Sequence, residues 1–119
     1  MRILIASSHE ALAHAVGEIF EIEGYAHDWQ KDPDQALAFL ASDAFDVFLV
    51  DHEIGAVRGA TLAQEAREAH PKDLRIVLMA RHADIGTRTR VESTKLDALL
   101  AKPFDRSALL AAVTGEARS

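Results

Sequence analysis

Four residues near the middle of the chain, Val47 to Val50, form an unbroken apolar run. A strand that does not alternate apolar with polar residues is covered on both faces, so helices must lie on either side of its sheet. The rest of the chain supplies them in turn. Arg2 to Ala6 is a β-prone run, and Leu12, Val16, Ile19 and Phe20 then recur at helical spacing up to Gly24, a residue suited to the position after a helix end. Tyr25 to Trp29 reads as a second strand. Asp32-Pro33 reads as the N-cap and first residue of a helix that buries Ala36, Leu37 and Leu40. A loop from His52 to Gly59 leads to a helix over Ala60 to His70, stopped by Pro71. Arg75 to Met79 is another buried strand, and Ile85 to Thr94 is a more polar helix. Ala98 to Ala101 is the fifth apolar run, Pro103 closes it, and Asp105 caps a last helix carrying Leu109, Leu110 and Val113. Five strands alternating with five helices predict an α/β fold with a mostly parallel sheet and right-handed crossovers.

With 119 residues the expectation is a single domain over 1–119. There is no cysteine, which removes disulfide scaffolds, thiolate metal sites and thiol nucleophiles. No apolar stretch approaches the ~18 residues of a membrane span, so a soluble cytoplasmic protein is expected, with no membrane partner. The net charge of −6 is unevenly spread. Up to Val57 two basic residues, Arg2 and Lys31, face eleven acids; from Arg58 onward eleven basic residues face eight acids. The first half is therefore strongly acidic and would repel a phosphate backbone, so no direct nucleic-acid binding is expected.

In an open parallel sheet, chemistry gathers beyond the C-terminal ends of the strands. Those ends carry Ser7 and Ser8, Asp51, Ala80 to His82, and Lys102. A carboxylate and an ammonium from separate strands thus meet at one edge. Ser7 and Ser8 also read as caps for the helix that follows, and Trp29 reads as strand packing. His9, His52 and His82 fall near the same rim without a metal-binding spacing, and read as solvated loop residues.

Taken together, the opening MRILIASS, the FDVFLVD strand ending in Asp51, Gly59 eight residues later and the LLAKPF segment with Lys102-Pro103 resemble the receiver domains of two-component response regulators. The resemblance covers the whole chain. It implies a flavodoxin-like (βα)5 doubly wound sheet of strand order 2-1-3-4-5. It also implies a signalling module rather than an enzyme, in which Asp51 accepts a phosphoryl group from a histidine kinase. Lys102 would neutralise the phosphoryl oxygens, and Mg²⁺ would bridge acceptor and phosphoryl group.

Several positions depart from the family pattern. Ser7 and Ser8 stand where two acidic residues usually hold Mg²⁺, leaving Asp51 with Glu10 or Glu53 as the carboxylates that could assist a metal. Ala80 replaces the hydroxyl residue that ends the fourth strand, and Leu99 occupies the aromatic switch position. Gly55 replaces a common Pro. Arg81, where a small residue is usual, is expected to reach over Asp51 as a substitute cation. The leading reading is an atypical receiver, phosphorylation-independent or weakly phosphorylated, acting as an adaptor through protein–protein binding. Its partner would be a histidine kinase or another signalling protein, bound at the basic stretch with Arg88, Arg90 and Lys95. The face of the fourth helix, fifth strand and fifth helix would serve a homodimer. Two further readings stay open: an orthodox receiver phosphorylated at Asp51, and a sensor of an anionic nucleotide second messenger that uses the same basic stretch.

Overall fold

A computed structural model describes residues 1–81 and 96–115. In chain order its elements are β1 (Arg2–Ala6), α1 (Glu10–Ile22), β2 (Ala26–Gln30), α2 (Pro33–Ser42), β3 (Val47–Asp51), β4 (Glu53–Ile54), β5 (Val57–Arg58), α3 (Gly59–Ala69), β6 (Arg75–Arg81), β7 (Ala98–Lys102) and α4 (Arg106–Thr114). The main sheet is parallel throughout, in the order β2-β1-β3-β6-β7. With β6 and β7 as its fourth and fifth strands, this is the expected 2-1-3-4-5 order. The helix predicted over Ile85 to Thr94 lies outside the described residues, as do His82, Arg88, Arg90 and Lys95.

The two-residue period of the strands sorts their side chains into two cores. Leu4, Ala6, Phe48, Val50, Ile76 and Leu78 pack beneath α2 and α3 with Ala36, Leu40, Leu62, Ala63 and Ala66. Ile3, Ile5, Val47, Leu49, Val77 and Met79 pack against α1 and α4 with Ala13, Val16, Phe20, Leu109 and Val113. All five residues of β3 are buried, as the central strand of a doubly wound sheet must be.

Local chemistry explains the helix ends. The Asp32 carboxylate accepts from Asp34 N at 2.8 Å and Gln35 N at 3.4 Å, with Pro33 as the first helical residue. Asp105 accepts from Ala108 N at 2.7 Å. Gly24 takes φ +79°, and Gly115 closes α4 at φ +77°. At the end of the sheet where β6 begins, Arg67 donates to the carbonyls of His70, Pro71 and Leu74 and to the Asp97 carboxylate, which in turn accepts from Ile76 N at 2.7 Å.

The segment from His52 to Gly59, expected as plain loop, instead holds the short antiparallel hairpin β4–β5, pairing Glu53 with Arg58 and Ile54 with Val57. Ile54 is fully buried and anchors the hairpin in the core. Among the described residues, no helix is long and apolar enough to cross a membrane.

Candidate functional site

Strand register assembles the site. Ala6 pairs with Val50, so Ser7, the next residue, falls level with Asp51, while Asp51 pairs with Met79 and Met79 with Leu100. Lys102 lies two residues beyond Leu100, on the same face, and its four-carbon stem reaches back across β6 to Asp51. Ser7 and Asp51 are the two fully buried polar residues among those described.

Both oxygens of the Asp51 carboxylate accept from protein donors. Oδ2 accepts from Ser7 Oγ at 2.8 Å. Oδ1 accepts from Lys102 Nζ, from His52 N at 2.9 Å and from His52 Nδ1 at 3.0 Å. A carboxylate oxygen can only accept, so the last contact uses the Nδ1–H tautomer of His52. Burial pushes the Asp51 carboxyl toward its neutral form. The hydrogen bonds from Lys102 and Ser7 and the positive charge of Lys102 outweigh that, and its pKa falls below the ordinary 3.8. Asp51 is thus a buried carboxylate held ionised by its neighbours.

The backbone beside it is equally constrained. Gly59 donates its N–H to His52 O at 2.7 Å, and a Cβ on Gly59 would stand 1.8 Å from the Asp51 carbonyl oxygen. This close approach is what the glycine eight residues after Asp51 provides.

Three expectations about the rim need correcting. Ser7 does not cap α1. Its Oγ takes His9 N–H at 3.0 Å within the turn and spends its own proton on Asp51, while His9 is the N-cap residue and makes no side-chain cap bond. Ser8 is exposed. His52 is not a solvated loop residue; its ring is nearly buried against Asp51, with 13% of the side chain exposed. Arg81 is exposed at the end of β6, and the cation that pairs with the Asp51 carboxylate is Lys102. Trp29 packs as expected, and also donates its indole N–H to Ser7 O at 2.8 Å.

Mg²⁺ favours six hard oxygens in an octahedron and usually draws one or two from carboxylates. The donor set here does not fit it. Asp51 offers one carboxylate with both oxygens already hydrogen-bonded, and the Ser7 hydroxyl points its proton inward. Glu10 turns to His14, with Oε1 at 3.9 Å from Nε2, and Glu53 is exposed on β4 opposite Arg58. Among the described residues no three His, Cys, Asp or Glu side chains converge as a metal site. On the switching side, Ala80 is buried without a hydroxyl, and Leu99 is an aliphatic side chain 39% exposed on the edge strand β7. The site contains what the sequence pointed to in Asp51 and Lys102. It adds His52, whose contact depends on the turn after β3 and has no short-range signature.

A doubly wound sheet with an Asp–Lys pair at its strand ends is the arrangement expected of a signalling receiver. Residues 3–114 match the family model described as the response regulator receiver domain, and the chain belongs to that family. It is 27% identical over 115 residues to the transcriptional regulatory protein DltR of Streptococcus agalactiae, covering 95% of this chain and 50% of that protein. It is also 27% identical over 113 residues to the transcriptional regulatory protein CutR of Streptomyces coelicolor, covering 95% and 52%. The chain therefore spans about half the length of the curated relatives it matches. Among solved structures, a CheY-like receiver domain protein from Methanospirillum hungatei superposes with a TM-score of 0.89 at 23% identity, over 97% of this chain and 91% of that one. The chemotaxis response regulator CheY4 of Vibrio cholerae gives 0.86 at 18% identity over 96% of each. These likenesses establish the CheY-like fold. Receiver domains of two-component systems generally partner histidine kinases.

Proposed function

We propose that this chain is an atypical receiver, a single domain over residues 1–119 whose signalling does not depend on efficient phosphorylation of Asp51. The observation that carries this reading is the state of the Asp51 carboxylate. Ser7, His52 and Lys102 donate to its two oxygens, a serine stands where the family places an acidic residue, and no three His, Cys, Asp or Glu side chains converge as a metal site among the described residues. An incoming phosphoryl group has to displace these donors and find its charge neutralised by Lys102 without a well-built metal site. Asp51 and Lys102 then serve as a fixed ion pair, and the domain acts as an adaptor for a histidine kinase or another signalling protein. The curated relatives, named as transcriptional regulators, suggest that such an adaptor feeds transcriptional control.

Acetyl phosphate with millimolar Mg²⁺, followed by intact-mass measurement, tests the reading. The expected spectrum has no added phosphoryl mass. An added mass that disappears in Asp51→Asn would overturn it in favour of an orthodox receiver. That second reading draws on the Lys102–Asp51 pair, which is the arrangement a phosphoryl acceptor needs.

A further inference from the structure

With Ala80 and Leu99 lacking the hydroxyl and the aromatic ring of the usual switch, a change at Asp51 needs another way out of the pocket. The described contacts contain one, and it runs through Ser7. Ser7 Oγ donates to Asp51 Oδ2 at 2.8 Å and accepts from His9 N, at the start of α1, at 3.0 Å. The Ser7 carbonyl accepts the indole N–H of Trp29 at 2.8 Å. The Trp29 ring meets the His14 ring edge-on, with centroids 5.6 Å apart and planes at 79°. The His14 side chain is 64% exposed on α1, where it faces Glu10. A fully buried carboxylate is thus joined through one fully buried serine to the exposed face of the first helix.

We infer that Ser7 is a positioning residue that couples the state of Asp51 to Trp29 and the N-terminal half of α1. The coupling follows from donor and acceptor inventories. Lys102 Nζ, His52 N and His52 Nδ1 all donate to Oδ1, and an ammonium has nothing to accept with. If Asp51 becomes an amide, the amide oxygen must stay with these donors and the amide nitrogen must turn to Ser7. The Ser7–Asp51 hydrogen bond then reverses direction, and Ser7 Oγ, already accepting from His9 N, must accept again and send its proton elsewhere. In a buried network an unplaced proton is costly, so residue 7 has to readjust, and its carbonyl carries the adjustment to Trp29. The route ends on α1 rather than on the edge strand bearing Leu99.

The inference rests on Asp51 being the carboxylate whose state carries the signal, but its test needs no phosphorylation. Trp29 is the chain's one tryptophan, so its indole ¹H–¹⁵N resonance is identified without ambiguity. That resonance is recorded for the full chain, Asp51→Asn, Ser7→Ala and the double variant. Asp51→Asn is expected to move it by more than a linewidth when Ser7 is present and by less than a linewidth when Ser7→Ala is present. Ser7→Thr, which keeps a hydroxyl, is expected to restore the shift. Should Ser7→Ala not fold, hydrogen exchange at the indole decides with Ser7 intact: exchange is expected to quicken several-fold in Asp51→Asn. An indole that ignores Asp51→Asn in both measurements, or that shifts equally with and without the Ser7 hydroxyl, overturns the coupling. A failed coupling leaves the acetyl phosphate result standing, and a phosphorylated wild type leaves the coupling standing, so the two failures are distinguishable.

Discussion

The Cα of Gly59 lies so close to Asp51 that any side chain there would overlap the Asp51 carbonyl, with a Cβ 1.8 Å from the oxygen and 3.0 Å from Leu78 Cδ1. The first neighbour is backbone and cannot rotate away. Gly59→Ala is therefore expected to push β3 and the start of α3 apart and to strain the Gly59 N–H bond to His52 O. Overpacking of this kind costs about 3 kcal/mol or more when the backbone must move. A urea unfolding midpoint close to that of the wild type would contradict it.

Removing the ammonium partner of Asp51 should be more damaging than removing the pair. Lys102→Met keeps most of the stem volume and leaves a fully buried carboxylate supported by Ser7 and His52 alone. Breaking one side of a buried ion pair costs about 3 to 5 kcal/mol. The double variant Asp51→Asn with Lys102→Met should recover a large part of the loss, because no uncompensated charge remains. Equal stability of the single and double variants would show that Lys102 is a surface cation with little hold on the pocket.

The parts of this molecule that were legible in its sequence are those governed by short-range patterns. The all-apolar FLV of β3, the Asp32-Pro33 start of α2 and the Asp105 cap of α4 each declare themselves within a few residues, whereas the strand order came from the family resemblance. The hairpin β4–β5 was hidden because two-residue strands carry no period. A serine before a helix often caps it, which is what the local sequence at Ser7 suggests. Its actual acceptor is 44 residues away and becomes a neighbour only through the β1–β3 register. His52 differs: its partner Asp51 is its chain neighbour, and what the sequence does not show is that the ring lies nearly buried there.

Asp51 also marks the acid limb of the stability curve. Its folded pKa lies below the unfolded value of 3.8, so the unfolded state binds its proton first as the pH falls. The stabilisation is fully present above 3.8 and is lost as pH drops through the folded pKa. Urea midpoints between about pH 2 and 6 are expected to fall less steeply at the acid end in Asp51→Asn than in the wild type. Parallel acid limbs for the two proteins would mean that Asp51 has no depressed pKa.

The mismatch between the pocket and Mg²⁺ can be tested by supplying the missing carboxylate. In Ser7→Asp a second carboxyl stands about 3 Å from Asp51 Oδ2, replacing a donor with a like charge, and two buried carboxylates that close cannot both stay ionised without a cation. In the presence of a chelator the variant should therefore be less stable than the wild type at neutral pH. Millimolar Mg²⁺ should restore it, since a ligand that binds only the folded state stabilises by about 2.7 kcal/mol at a hundred times its Kd. The wild-type midpoint should not respond, because Ser7 offers a hydroxyl already turned toward Asp51. If Mg²⁺ stabilises the wild type as much as Ser7→Asp, the native oxygens form a working metal site, and the fixed ion pair would be a resting state that a cation opens.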